Sequence, residues 1–88
     1  MRIGLVKGMV VSTKKDERLI GTKLLVVQFV DSAYKPLGDE EVAVDTVGAG
    51  AGEYVLLCSG SSARHVFEEA KMPVDLVVVG ILDRKPDV

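Results

Sequence analysis

Three glycines stand at alternate positions in Val47-Gly48-Ala49-Gly50-Ala51-Gly52-Glu53, and a second run of small residues, Ser59-Gly60-Ser61-Ser62-Ala63-Arg64, follows closely. Backbone amides in glycine-rich loops can wrap a phosphate, so nucleotide binding is the first chemistry to weigh. A dinucleotide fingerprint is spaced G-x-G-x-x-G and opens a helix whose N-terminus faces the pyrophosphate. Here the spacing is G-x-G-x-G, and Tyr54-Val55-Leu56-Leu57-Cys58 follows, aromatic, β-branched and apolar. That composition predicts a strand, which removes the helix end that would attract an anion. A phosphate loop also carries a lysine after its last glycine, whereas Glu53 stands there and repels phosphate. The glycine run therefore does not read as a nucleotide site.

The remaining reactive side chains do not form a catalytic set either. His65 is the only histidine, which excludes a histidine-rich zinc site within one chain. Its neighbours Val66 and Phe67 suit a surface or interface position better than a general base. Cys58 sits in an apolar run and reads as a small buried hydrophobe. Ser59, Ser61 and Ser62 lack the G-x-S-x-G elbow of a nucleophilic serine, and turn formation or helix capping explains them. The carboxylates of Asp39-Glu40-Glu41 and Glu68-Glu69 read as solvated faces, and Asp45, Asp75 and Asp83 as exposed or salt-bridged strand residues. Arg64 falls at a predicted helix start, where a cation opposes the helix dipole. A carboxylate partner in the same or a neighbouring subunit is expected for it. No catalytic residue, cofactor or metal is assigned.

Around these residues, 88 positions provide one small domain. A chain of this size hides only about 60–65% of its unfolded surface on folding. Yet 48% of the residues are hydrophobic and the mean hydropathy is +0.28. No apolar run reaches the roughly 18 residues of a membrane span. Lys7 interrupts the N-terminal run too early for a signal-peptide core. The excess apolar surface thus calls for burial between subunits. A single cysteine provides no internal disulfide and points to the cytosol. A net charge of −2 and a pI near 5.3 argue against nucleic acid or an anionic membrane as partner.

The pattern is mostly strand. Residues 2–12 form the first, with Ile3, Leu5, Met9 and Val11 on one face and Gly4, Val6, Gly8 and Val10 on the other. Charged residues 13–18 read as a loop, and residues 23–30 as the second strand. Lys35-Pro36-Leu37-Gly38 suits a type I turn. Residues 42–47 and 53–59 are the third and fourth strands, joined by the glycine run as a flexible or tightly bent hairpin connection. Residues 61–70 are the one helix, capped by serine and stopped at Met72-Pro73. Residues 74–83 form the last strand, and residues 84–88 a polar tail. The fold class is mainly β: a five-stranded barrel with one short helix before the last strand. The second and last strands are apolar on both faces, at Leu24 to Val27 and Leu76 to Leu82. A barrel with a wet exterior alternates instead, so one face fills the barrel and the other requires a cover.

Five blocks in this order resemble the EutN/CcmL family of bacterial microcompartment vertex proteins. They are Gly8-Met9-Val10-Val11-Ser12-Thr13, Leu19-Ile20-Gly21-Thr22-Lys23-Leu24-Leu25-Val26-Val27-Gln28, Val44-Asp45-Thr46 running through the glycines to Val55, Gly60-Ser61-Ser62-Ala63-Arg64, and Pro73-Val74-Asp75-Leu76 running to Asp83. The resemblance covers residues 1–83 and leaves the tail of 84–88 unassigned. It implies an OB-like barrel that assembles into a homopentamer, with no catalytic activity. It further implies a place at the vertices of polyhedral shells tiled by hexameric shell proteins in the bacterial cytoplasm. In such a ring, loops of small residues can converge on the symmetry axis. Gly48, Ala49, Gly50, Ala51, Gly52 and Glu53 form one candidate axial or interface loop, and Ser59, Gly60, Ser61 and Ser62, with Arg64, the other. The rival reading is an OB-fold module for single-stranded nucleic acid. That function wants a basic groove with stacking aromatics, and this acidic chain has only Phe29, Tyr34, Tyr54 and Phe67.

Overall fold

The computed structural model describes residues 1–11, 17, 21–59 and 75–83. Five strands run in chain order: β1 (Arg2–Met9), β2 (Leu24–Val30), β3 (Pro36–Asp45), β4 (Tyr54–Ser59) and β5 (Leu76–Ile81). They close into a barrel in the order β1-β2-β3-β5-β4. All neighbours are antiparallel except β3 and β5, which pair in parallel at Val44–Val77 and Asp45–Val78. The expected five-stranded OB-like barrel is what the chain forms. The helix expected over 61–70 lies outside the described residues.

The strand order corrects the expected role of the glycine run. β3 and β4 are not neighbours, because β5 stands between them. The segment 46–53 is therefore a crossing over one end of the barrel, not a hairpin. The expected turn at Lys35-Pro36-Leu37-Gly38 is also displaced. The chain reverses four residues earlier, where the Tyr34 amide donates to the Asp31 carbonyl and the Asp31 amide to the Lys35 carbonyl, both at 2.9 Å. The Asp31 carboxylate accepts from Ala33 at 2.8 Å and from Lys35 at 3.0 Å. An aspartate that bonds the backbone two residues on forms such a turn by itself. Pro36 to Gly38 then belong to β3, which is 10 residues long.

Alternation in β1 breaks at Lys7. Val6 pairs with Val27, but Gly8 pairs with Val26, so one extra residue sits in β1 at that point. A bulge of this kind exchanges the two faces. Gly4 and Val6 point inward, Ile3 and Leu5 outward, and Gly8 joins the outward side instead of sharing a face with Gly4 and Val6.

The interior is filled by Val6, Leu25, Val27, Phe29, Ala43, Ala49, Val55, Leu57, Leu76 and Val78. A second cluster, Leu24, Val44 and Val77, lies on the outward side of β2, β3 and β5, with Val10, Cys58 and Val79 against it. The doubly apolar strands thus serve two clusters. The Arg2 guanidinium lies 3.6 Å from the centre of the Phe29 ring, at one mouth of the barrel.

Gly4 of β1 faces the interior with Leu57 of β4 packed over it. A Cβ there would stand 2.6 Å from Leu57 Cδ1 and 3.3 Å from the Gln28 carbonyl oxygen. The backbone contact cannot yield by rotation of a side chain. Gly4→Ala is expected to lower stability by about 1–3 kcal/mol, read as the shift of the urea unfolding midpoint at constant slope.

Candidate functional site

The crossing from β3 to β4 is built around Asp45, the last residue of β3. Oδ1 of Asp45 accepts the amides of Val47 (3.0 Å) and Gly48 (3.1 Å), and Oδ2 accepts that of Ala49 (2.9 Å). The Lys23 ammonium lies 3.4 Å from Oδ2 and donates to the Ala49 carbonyl at 2.7 Å. The Asp45 side chain is 1% exposed, so its charge is buried but compensated on both oxygens. Beside it, the Thr46 hydroxyl donates to the Val78 carbonyl at 2.6 Å and ties the start of the crossing to β5.

The second half of the crossing is closed by Glu53. Its Oε1 accepts the Gly50 amide at 2.6 Å, and its own amide donates to the Gly50 carbonyl at 3.1 Å. The Gly52 amide then donates to the Val6 carbonyl, and the Val6 amide to the Glu53 carbonyl. The loop is thereby stitched to β1. Gly48 and Gly52 have φ of 82° and 88°, a region that side chains with a Cβ rarely adopt. Ala49 is fully buried in the interior cluster, where a larger side chain has no room.

This geometry also disposes of the phosphate reading. The amides of residues 47–50, which would cradle a phosphate, already donate to the Asp45 and Glu53 carboxylates. Two negative charges occupy the place an anion would need. Nor is the loop flexible, as a glycine count alone suggests, since four of its amides are held by side chains. Among the described residues no group of three or more His, Cys, Asp or Glu side chains is placed to hold a metal.

Of the second candidate loop, only Ser59 lies among the described residues. Ser59 ends β4 exposed, opposite Leu76 of β5. Tyr54 at the other end of β4 adjoins the glycine loop, so Ser59 stands roughly 17 Å from that loop along the strand. Gly60, Ser61, Ser62 and Arg64 lie outside the described residues. Cys58 is a half-buried free thiol packed on the outward cluster.

Two features escaped the sequence reading. One is the pairing of Asp45 with Lys23, which an Asp-Thr-x-Gly string after a strand could have suggested as a turn cap. The other is the aromatic pair Tyr34 and Tyr54, whose rings stack at 3.8 Å and 21°. Tyr34 holds a φ of 62°, unusual for a bulky residue. Desolvation, and then the neighbouring Tyr54 phenol, raise the pKa of its hydroxyl above the ordinary tyrosine value.

Against known proteins, residues 1–83 match the family profile described as ethanolamine utilisation protein EutN/carboxysome. The carboxysome shell vertex protein CcmL of Gloeobacter violaceus is 51% identical over 83 residues, spanning 94% of this chain and 83% of that one. The bacterial microcompartment shell vertex protein PduN of Salmonella typhimurium is 53% identical over 87 residues, spanning 94% and 96%. The solved GrpN pentameric microcompartment shell protein from Rhodospirillum rubrum superimposes with a TM-score of 0.85 at 49% identity, covering all of both chains.

The Asp45 arrangement predicts graded losses. Asp45→Ala is expected to lower stability by about 3 kcal/mol, because three amides and a lysine lose a buried acceptor. Asp45→Asn should lose less, since one oxygen remains to accept. Lys23→Met should cost about 1 kcal/mol or less, because the ammonium is partly solvated. Urea unfolding of the three variants measures the order.

Proposed function

The chain belongs to the EutN/CcmL family, and from that premise we propose that it is a structural shell vertex protein, not an enzyme. It forms homopentamers that cap the vertices of a polyhedral microcompartment in the bacterial cytoplasm. The observation that carries this reading is the full-length likeness, at 49% identity, to a solved pentameric microcompartment shell protein. The carboxysome and microcompartment relatives named as shell vertex proteins support it. So does the surplus of apolar surface on a barrel this small. Residues 1–83 are the barrel domain, and residues 84–88 an appended tail.

The work is geometric. Hexameric shell proteins tile flat sheets, and a five-sided unit inserted among them introduces the curvature that closes a corner. The rim of the pentamer meets the hexamer edges. The glycine loop 46–52 faces the ring axis, where identical copies crowd. Gly50 supports this placement: a Cβ there would meet nothing nearer than Glu53 Oε1 at 3.5 Å, an ordinary contact. Its lack of a side chain is therefore not explained inside one subunit. Nucleic-acid binding has less support, because β3 presents Asp39, Glu40 and Glu41 to solvent and the net charge is −2.

Light scattering on the purified chain should give the mass of five subunits, with no shift of single-stranded oligonucleotides in a gel assay. A monomer that binds oligonucleotide would overturn the vertex reading in favour of the OB-fold module. Gly50→Leu should leave the secondary-structure spectrum of the subunit unchanged while lowering the fraction of pentamer at a given concentration.

A further inference from the structure

We propose that the free edge of β3 at residues 39–42 is a docking site for an extended, lysine- or arginine-bearing segment of another protein, which joins the sheet as an added strand. β3 is 10 residues long. On one side β2 pairs with it at residues 40–44 and again at Pro36. On the other side β5 meets it only at Val44 and Asp45. Over residues 36–42 that second edge has no strand beside it among the described residues, and every residue of the span is exposed. The edge belongs to a single chain, so the inference goes beyond the pentamer reading and does not rest on it.

The direction of the main chain leaves donors and acceptors on this edge. The Asp45 amide donates at 2.9 Å to the carbonyl of Lys23, just before β2. Main-chain groups of an antiparallel pair alternate in direction along each strand. Ala43 and Glu41 therefore face β2 as Asp45 does, and Val44, Val42 and Glu40 face the other way. At Val44 the other side is β5. At Val42 and Glu40 it is open, and each offers its N–H and its C=O to an incoming strand. The edge is also held in shape beforehand. Gln28 Nε2 donates to the carbonyls of Leu37 (3.1 Å), Gly38 (3.0 Å) and Phe29 (3.1 Å), where the register of β2 and β3 shifts. A strand already fixed loses little further freedom when another joins it.

Charge selects the occupant. Asp39, Glu40 and Glu41 are consecutive and exposed, and among the described residues no cation stands within ion-pair distance of them. A second copy of this chain laid along the same edge would set these carboxylates against each other, and like charges across paired strands are destabilising. Charged side chains, a proline and a break in register are devices that keep an edge from joining its own copies, and β3 carries all of them. A strand of opposite charge is not kept out. For it the same carboxylates add attraction and speed encounter. Leu37 is 42% exposed and Val42 41%, so the carboxylates lie between two apolar contacts. The occupant that fits is an extended segment with basic residues at its centre and apolar ones beside them. Main-chain bonds then supply affinity, and side chains supply selectivity.

Fluorescence anisotropy with a labelled peptide of alternating valine and lysine tests the site on the purified chain in its native assembly. The peptide is expected to bind at low salt, and its counterpart with glutamate in place of lysine is not. A third peptide keeps the valine and lysine side chains but has every backbone nitrogen methylated. It retains the charge and loses the donors, so it should bind about tenfold more weakly or worse. On the protein, Glu40→Lys with Glu41→Lys reverses the charge and should weaken binding of the lysine peptide by about tenfold or more. Val42→Pro removes an edge N–H without touching the ladder to β2, and should weaken binding while leaving the circular dichroism unchanged. If Val42→Pro does not fold, the methylated peptide makes the same test. A lysine peptide that does not bind the unaltered chain overturns the proposal. So does a methylated peptide that binds as well as its parent, since charge alone then suffices, or a folded charge-reversed chain that binds unchanged. A folded charge-reversed chain whose mass falls by light scattering overturns it too, by showing that the edge joins copies of this chain.

Discussion

A barrel that closes through a parallel pair has to carry its chain across one end without the help of a ladder. That constraint falls on the segment between β3 and β4, because β5 takes the place beside β3 that a hairpin partner would hold. The crossing must satisfy its amides some other way, since unpaired backbone groups at a barrel end are costly. Asp45 supplies both carboxylate oxygens to three consecutive amides, and Lys23 from the start of β2 supplies the countercharge. With the crossing fixed, Ala49 drops into the interior and Glu53 aligns β4 against β1. The rest of the barrel follows from that closure.

The same logic explains why a glycine-rich loop here is rigid and why it carries no ligand. Glycine at 48 and 52 provides backbone conformations that other residues resist. The carboxylates then take the donors such a loop exposes. A phosphate loop leaves those donors free and adds positive charge. Two glycine-rich loops with similar composition thus differ in whether the protein supplies its own anion. In this chain it does, and the loop is left to serve shape.

Much of the architecture was legible in the sequence, and the errors have a common origin. Apolar runs bounded by glycine, proline and charge located four strands and the end of β3, whose first six residues, Pro36 to Glu41, are exposed and were not read as strand. Apolar residues on both faces of the second and last strands pointed to a cover for the outward face, and Leu24, Val44 and Val77 are buried there within a single chain. Strand order was not legible. Parallel closure between Asp45 and Val78 joins residues far apart in the chain, whereas an eight-residue glycine-rich connection imitates a hairpin. The displaced turn has a similar cause, since Pro36 and Gly38 carry strong turn signals but Asp31 forms the reversal through its own side chain. Face assignment in β1 failed at Lys7, because a single bulge reverses alternation and leaves no mark in composition. Of the candidate site, the small-residue loop was found and its two anchors, Asp45 and Lys23, were not linked.

Function then depends on what the barrel leaves on its outside. A small domain with a satisfied interior that still exposes Met9, Val11, Val42 and Val47 has apolar surface to give to copies of itself, and a ring provides what a shell corner requires. The central claim is that this chain closes polyhedral shells at their five-fold corners. Cryo-electron microscopy of particles formed by co-expressing hexameric shell proteins with and without the chain tests it most directly. The account predicts closed polyhedra with five-fold density at each vertex that fits this barrel, and open or gapped assemblies when the chain is omitted. Shells that close equally well without it, with the same density at their vertices, would contradict the account.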